Sequence, residues 1–150
     1  MTQMEKLLHD HVELEHALSS LRSEVRGLKN IHEVGDLDLL YQGQLAVRAE
    51  AMADALARHV DEEESHLFPL MRERLREDLS VLERLEQEHV SLRGKANAVV
   101  QGLRTAHYPY EALVEDIEVL YKAVDAHSME EATLFSTRMS ELFPENYMGG

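Results

Sequence analysis

Two segments of this 150-residue chain place a glutamate four positions after a histidine: His59 and Glu63 in HVDEEESHLF (59–68), and His127 and Glu131 in HSMEEATLF (127–135). On a helix, a residue four further along is rotated by only about 40° and raised by one turn, so each pair projects from one face. Two other segments, LLHDHVEL (7–14) and LEQEHVSL (85–92), match each other and carry His11 and His89. A helix pair has been used twice. Neutral imidazole nitrogens and carboxylate oxygens are ligands for iron, zinc, manganese or nickel. Four imidazoles and two carboxylates are too many for one tetrahedral zinc, but they suit two metal ions bridged by the glutamates.

Such a set needs four helices to hold it, and hydrophobic spacing supplies four. Met4, Leu7, His11, Leu14, Leu18, Leu21, Val25 and Leu28 form one apolar stripe, with Thr2-x-x-Glu5 as a capping box at its start. A loop over 30–36, containing Gly35, leads to a second stripe of Leu45, Ala49, Met52, Leu56, His59, Glu63 and Leu67, which Pro69 is expected to end or kink. Ser80-x-x-Glu83 is read as the cap of a third helix, with Leu82, Leu85, His89, Leu92, Ala96, Val99 and Leu103 facing inward. The fourth begins near Pro109 and carries Tyr110, Leu113, Ile117, Leu120, Val124, His127, Glu131 and Leu134. No strand pattern competes, so the expected fold is all-α, an antiparallel up-down-up-down four-helix bundle forming one domain over 1–150.

Of nine histidines, His11, His59, His89 and His127 each lie on the stripe of a different helix. A single stripe histidine is more often a core residue satisfied by a carbonyl or hydroxyl. Four change that balance, because antiparallel packing also brings them toward one height: His11 and His89 lie early in their helices, His59 and His127 late. Glu62 and Glu130, three after the histidines, are rotated the other way by about 60°, and Glu64, five after its histidine, lies about 140° round. Glu130 stays open as a second choice to Glu131, since the fourth helix has one residue fewer between its histidine and its Leu-Phe pair. Asp61, Glu64 and His66 are expected to remain solvated. An unpaired carboxylate taken out of water costs several kcal/mol, against a total stability of only about 5–15 kcal/mol. Divalent cations resolve this for Glu63 and Glu131.

Composition narrows the function. With 29 acidic and 15 basic residues the net charge is -14, which repels nucleic acid and anionic lipid. The absence of cysteine removes disulfides, thiolate zinc sites, iron-sulfur clusters and thiol nucleophiles. The N-terminal MTQMEKLLHDHVE has neither a secretory core nor a membrane-spanning run, and the protein is expected to be cytoplasmic. Oligomeric state is not legible.

The ordered set of an inward histidine, His59-x-x-x-Glu63, Glu88-His89 and His127-x-x-x-Glu131, together with EESHLFP (63–69), resembles the hemerythrin-like, or HHE cation-binding, family over nearly the whole chain. The resemblance implies a non-haem di-iron centre, oxo- or hydroxo-bridged, inside a four-helix bundle. His11, His59, His89 and His127 would be terminal ligands and Glu63 and Glu131 bridges; zinc or manganese would be accepted by the same donors. Oxygen-carrying hemerythrins have a second histidine one turn after that of the third helix, where this chain has Arg93. The vacancy leaves room for water, for an extra carboxylate such as Glu15, or for a reactant, although a solvated or supporting role suits Glu15 better.

Because imidazoles dominate the donor set, chemistry with a small ligand is favoured over attack on C–H bonds. The expected function is that of a di-iron protein that binds or reacts with oxygen, hydrogen peroxide or nitric oxide, as sensor, scavenger or peroxidase- or catalase-like protein. Iron storage or delivery without turnover is the alternative. A ferritin-like carboxylate site would use Glu86-x-x-His89 and Glu13-x-x-His16, but His16 lies off its stripe. Tyr121 flanks its stripe and is read as a packing residue.

Overall fold

The computed structural model describes residues 3–28, 39–105 and 107–142, with side chains over 11–28, 41–105 and 107–138. Its elements are α1 (Gln3–Gly27), α2 (Leu39–Glu62), a π-turn (Glu63–Leu67), α3 (Phe68–Arg74), a 3-10 turn (Arg76–Asp78), α4 (Leu79–Arg104) and α5 (Tyr110–Leu142). There is no strand among the described residues. α2, the π-turn and α3 run on as one rod, so the described residues contribute four rods. Every stripe position from Leu14 onward is buried. The side chains of Met4 and Leu7, the Thr2–Glu5 capping box and the 30–36 loop lie outside the described residues.

Pro69 does not end the second rod. The α-helical ladder gives way earlier, at Glu63, and resumes as α3 through Pro69 to Arg74. The Phe68 N–H donates to the Glu63 carbonyl, five residues back. A proline brings no N–H and its ring crowds the carbonyl four residues before it, so a widened turn just ahead of it relieves both. The same turn takes up an extra residue. Eight steps separate His59 from Leu67 but only seven separate His127 from Leu134, yet both leucines join the same apolar cluster. A π-turn is in effect a one-residue insertion into an α-helix, often found at functional sites.

The start of α4 also differs from expectation, while α5 begins beside Pro109 as expected. α4 starts at Leu79, leaving Ser80 inside its first turn, and the residue before it, Asp78, makes no side-chain cap bond. The break comes instead from Leu75, whose φ of -121° and ψ of 59° leave the helical region. At the other end of α4, the buried Gln42 amide donates to the carbonyls of Leu103 (3.1 Å) and Thr105 (2.6 Å), satisfying groups that a helix terminus leaves open. α5 begins where the Pro109 carbonyl accepts from the Leu113 N–H at 3.0 Å.

Contacts between rods run in opposed order. Glu24 pairs with Arg48 while His11 meets His59. Gln42 reaches Leu103 while Asp61 faces Arg93. Arg84 meets Glu130 while His89 meets His127. Tyr110 donates to the Val25 carbonyl while Glu118 binds Arg22.

The apolar interior has two parts. The larger includes Leu14, Leu18, Val60, Leu92 and Val124. The smaller is built from Leu67, Phe68, Met71, Leu75, Leu82, Leu85 and Leu134. Along the second rod, Glu63 falls between Val60 and Leu67; along α4, His89 falls between Leu85 and Leu92; along α5, His127 and Glu131 fall between Val124 and Leu134. One polar layer therefore separates the two apolar clusters at a common height.

Candidate metal centre

That layer is almost dry: Glu63 is 0% exposed, His89 1%, His127 4%, Glu131 4% and His59 5%. Glu63, His89, His127 and Glu131 each offer a ligand atom, and these atoms all lie within 4.8 Å of one another. His59 joins through Glu63, its Nε2 standing 2.5 Å from Oε1. His127 Nε2 and Glu131 Oε1 make the equivalent contact on α5. His89 Nε2 lies 3.7 Å from the Glu63 carboxylate, so the second rod and α4 meet at that oxygen. Both His–Glu pairs have the four-residue spacing that places them on one helix face, as the sequence predicts.

Electrostatics make this a poor place for unmetallated groups. Burial pushes Glu131 well above the usual carboxylate range, and the neighbouring Glu63 pushes it further. Burial would raise Glu63 as well, but the close approach of the Glu131 carboxyl, His59 and His89 pulls it below the usual range. Of the two buried carboxyls, Glu131 is therefore the one that holds a proton more readily in the metal-free protein. Burial also drives His127 down to about 4, aided by His89, so its ring is neutral at physiological pH.

Both carboxylate oxygens of Glu63, both ring nitrogens of His89 and of His127, Glu131 Oε1 and His59 Nδ1 are buried with no conventional hydrogen-bond partner. Unsatisfied buried groups cost about 1–3 kcal/mol each, which a convergent set of lone pairs recovers by coordinating a cation. The donor set of imidazoles and carboxylates fits a divalent metal.

The remaining expected ligand, His11, stands apart from this tight set. Its side chain is 27% exposed, its Nε2 lies 3.1 Å from Glu15 Oε1, and its ring centroid is 5.5 Å from that of His59. Glu15 also lines a cavity of about 130 Å³ with Leu18, Ser19, Tyr121, Val124 and Asp125. Tyr121 is occupied by the Arg22 guanidinium, 4.1 Å over its ring. On α5 it is Glu131 that enters the cluster, whereas Glu130 is held by Arg84. Arg93 turns outward to Asp61 at 3.4 Å. Glu86 pairs with Arg72, and His16 is exposed, so the ferritin-like spacing finds no site.

Asp61 and His66 are exposed as expected. Glu64 is exposed too, but its Oε1 still comes within 3.7 Å of His89 Nδ1. Phe68, unnoticed as a site residue, stacks on His89 with centroids 5.2 Å apart and planes 6° from parallel. Its place after Leu67 reads as core, and only the π-turn sets it beside the ring.

The family model for the Hemerythrin HHE cation binding domain matches residues 2–137. The chain belongs to this family. No curated protein and no solved structure matches it. A hemerythrin HHE domain binds metal cations, and the buried His/Glu cluster is where this one can hold them. No helix among the described residues of this hemerythrin domain is long and apolar enough to cross a membrane.

Proposed function

We propose that this hemerythrin domain holds a pair of iron ions among His11, His59, Glu63, His89, His127 and Glu131, and binds or reacts with a small ligand there: oxygen, hydrogen peroxide or nitric oxide. The reading takes the rods as an up-down-up-down antiparallel bundle, which the opposed order of their contacts supports. The observation that carries it is the convergence of Glu63, His89, His127 and Glu131, from three rods, on a space 4.8 Å across.

Bound iron would supply reversible electron transfer and open coordination positions for the ligand. The protein's own part is positional. Glu63 and Glu131, one from each HxxxE pair, would hold the ions through carboxylate oxygens that converge from two rods. His59, His89 and His127 would hold the ions through ring nitrogens, and His11 would close the set from α1 by turning its Nε2 from Glu15. The two apolar clusters on either side exclude bulk water. An arginine instead of a histidine at position 93 leaves one protein donor fewer, which favours a position open to exchange.

Storage or delivery without turnover is the less favoured reading, because a dry, enclosed donor set suits a resident ion better than cargo. The test is anaerobic loading with ferrous iron followed by air, peroxide or nitric oxide. A new charge-transfer band or peroxide consumption is expected; neither appearing, with iron lost rapidly to a chelator, would favour storage.

A further inference from the structure

We infer that Glu64 and Glu88 are positioning residues, each holding the outer ring nitrogen of a metal-binding histidine on the neighbouring rod. The inference rests on the metal reading above. A histidine that binds metal through one nitrogen usually donates its other N–H to a carboxylate, carbonyl or water, which fixes tautomer and ring orientation.

His127 directs Nε2 at Glu131 and leaves Nδ1 facing Glu88 Oε1 at 3.7 Å. His89 directs Nε2 at Glu63 and leaves Nδ1 facing Glu64 Oε1, also at 3.7 Å. Both Nδ1 atoms are buried and lack a hydrogen-bond partner. Closing either gap by about 1 Å gives a charge-assisted bond of ordinary length. Glu88 Oε2 is buried without a hydrogen-bond partner in conventional geometry, and although burial and the neighbouring Glu130 carboxyl raise Glu88 above the usual range, Arg84 holds Glu130 and Glu88 Oε1 faces the ring. Glu64 follows the first residue of the π-turn, so the irregularity that absorbs the extra residue of the second rod also carries the carboxylate that meets α4.

The two arms form a relay across rods. Glu64 on the second rod steadies a ring of α4, and Glu88 on α4 steadies a ring of α5. Each fixes its proton on Nδ1 and so reserves Nε2 for the cation, linking the placement of the rods to the geometry of the centre.

The test uses the full chain and cobalt(II), read by competition with a chromophoric chelator and by the visible ligand-field spectrum. Glu64→Ala and Glu88→Ala should each weaken cobalt binding by about 10–100-fold. Glu64→Gln and Glu88→Gln should recover part of the loss, because the amide oxygen still accepts from Nδ1–H, and the alanine variants should alter the spectrum. Metal-free melting should stay close to wild type. Asp61→Ala, which removes an exposed carboxylate that faces Arg93, should bind as wild type does. If wild type binds cobalt and the alanine variants bind equally well, or if Gln loses as much as Ala, the positioning roles are overturned while the metal reading stands. A wild-type chain that takes up no cobalt overturns both.

Discussion

Glu63 and Glu131 come from two different rods and offer ligand atoms within 4.8 Å of each other, in a layer almost closed to solvent. Without metal one of them must keep a proton, and burial beside Glu63 assigns it to Glu131. Above pH 4.5 the unfolded chain releases that proton while the folded chain retains it, so folding becomes less favourable as pH rises through this range. Glu131→Gln removes the penalty. The metal-free variant should equal or exceed wild type in stability, by about 1–3 kcal/mol near neutrality, with the gap widening as pH rises from 4.5. Added zinc should stabilise wild type and leave Glu131→Gln unmoved. Glu130→Gln, by contrast, should keep the zinc response, since Glu130 serves Arg84. Thermal melts from pH 5 to 8, with and without zinc, separate these outcomes; a zinc response that survives in Glu131→Gln and fails in Glu130→Gln would reverse the assignment.

The histidines should not be equal. His59 is 5% exposed and stands 2.5 Å from Glu63, whereas His11 is partly open and engaged by Glu15. His59→Ala is expected to weaken metal binding by at least about tenfold, and His11→Ala by less, in line with the larger loss from a desolvated donor. Metal content after dialysis against a graded chelator series gives the ranking. Equal retention by the His59→Ala protein would remove it from the ligand set.

Much of this layout is legible in the residues, because burial on a helix obeys a period that side-chain type reports. His59, His89 and His127 occupy stripe positions among leucines, and those positions are buried. What periodicity cannot carry is a change of period. The π-turn at Glu63–Leu67 lies just ahead of Pro69 and takes up an extra residue visible only by comparing 59–68 with 127–135. The approach of Glu64 to His89 and the stacking of Phe68 lie within or just after that turn, and an unbroken α-helix gives no sign of either. Ser80 misled for a related reason: its pattern is a good cap, but Leu75 breaks the chain early enough for the helix to start before it. His11 shares the stripe without sharing the enclosure, since spacing fixes direction and not depth.

Glycines on α4 should respond oppositely to one methyl group. A Cβ at Gly102 would clash with Tyr108 Cε2 and Cδ2, forcing the buried ring and its hydroxyl bond to Asp116 to move. Gly102→Ala should cost about 1–3 kcal/mol. At Gly94, mid-helix and exposed, an added Cβ meets nothing within 4 Å. Gly94→Ala should stabilise by up to about 1 kcal/mol through helix propensity alone. Urea denaturation of the two variants checks both signs, and a Gly102→Ala protein as stable as wild type would show that the ring can yield without loss.

The junction of α1 and α5 gives a pH signature far from the metal layer. Arg22 donates from Nε to Glu118 Oε1 at 2.6 Å and from Nη2 to Oε2 at 3.0 Å, Arg26 adds a contact at 2.9 Å, and the Arg22 guanidinium also covers Tyr121. The Arg22 hydrogen bond holds the Glu118 carboxyl below the usual range. The unfolded carboxyl therefore takes up a proton at higher pH than the folded one, so the contribution is full above about 4.5 and is lost as pH falls through the folded value. Glu118→Gln should destabilise by about 0.5–1 kcal/mol at pH 7, and the difference from wild type should shrink as pH falls below 4.5. Arg22→Lys retains the charge but not the two-pronged geometry, and should show an intermediate loss that shrinks further in high salt. Chemical denaturation at pH 3 and pH 7 measures this directly: a Glu118→Gln deficit that persists unchanged at pH 3 would mean the glutamate acts through packing and not through its charge.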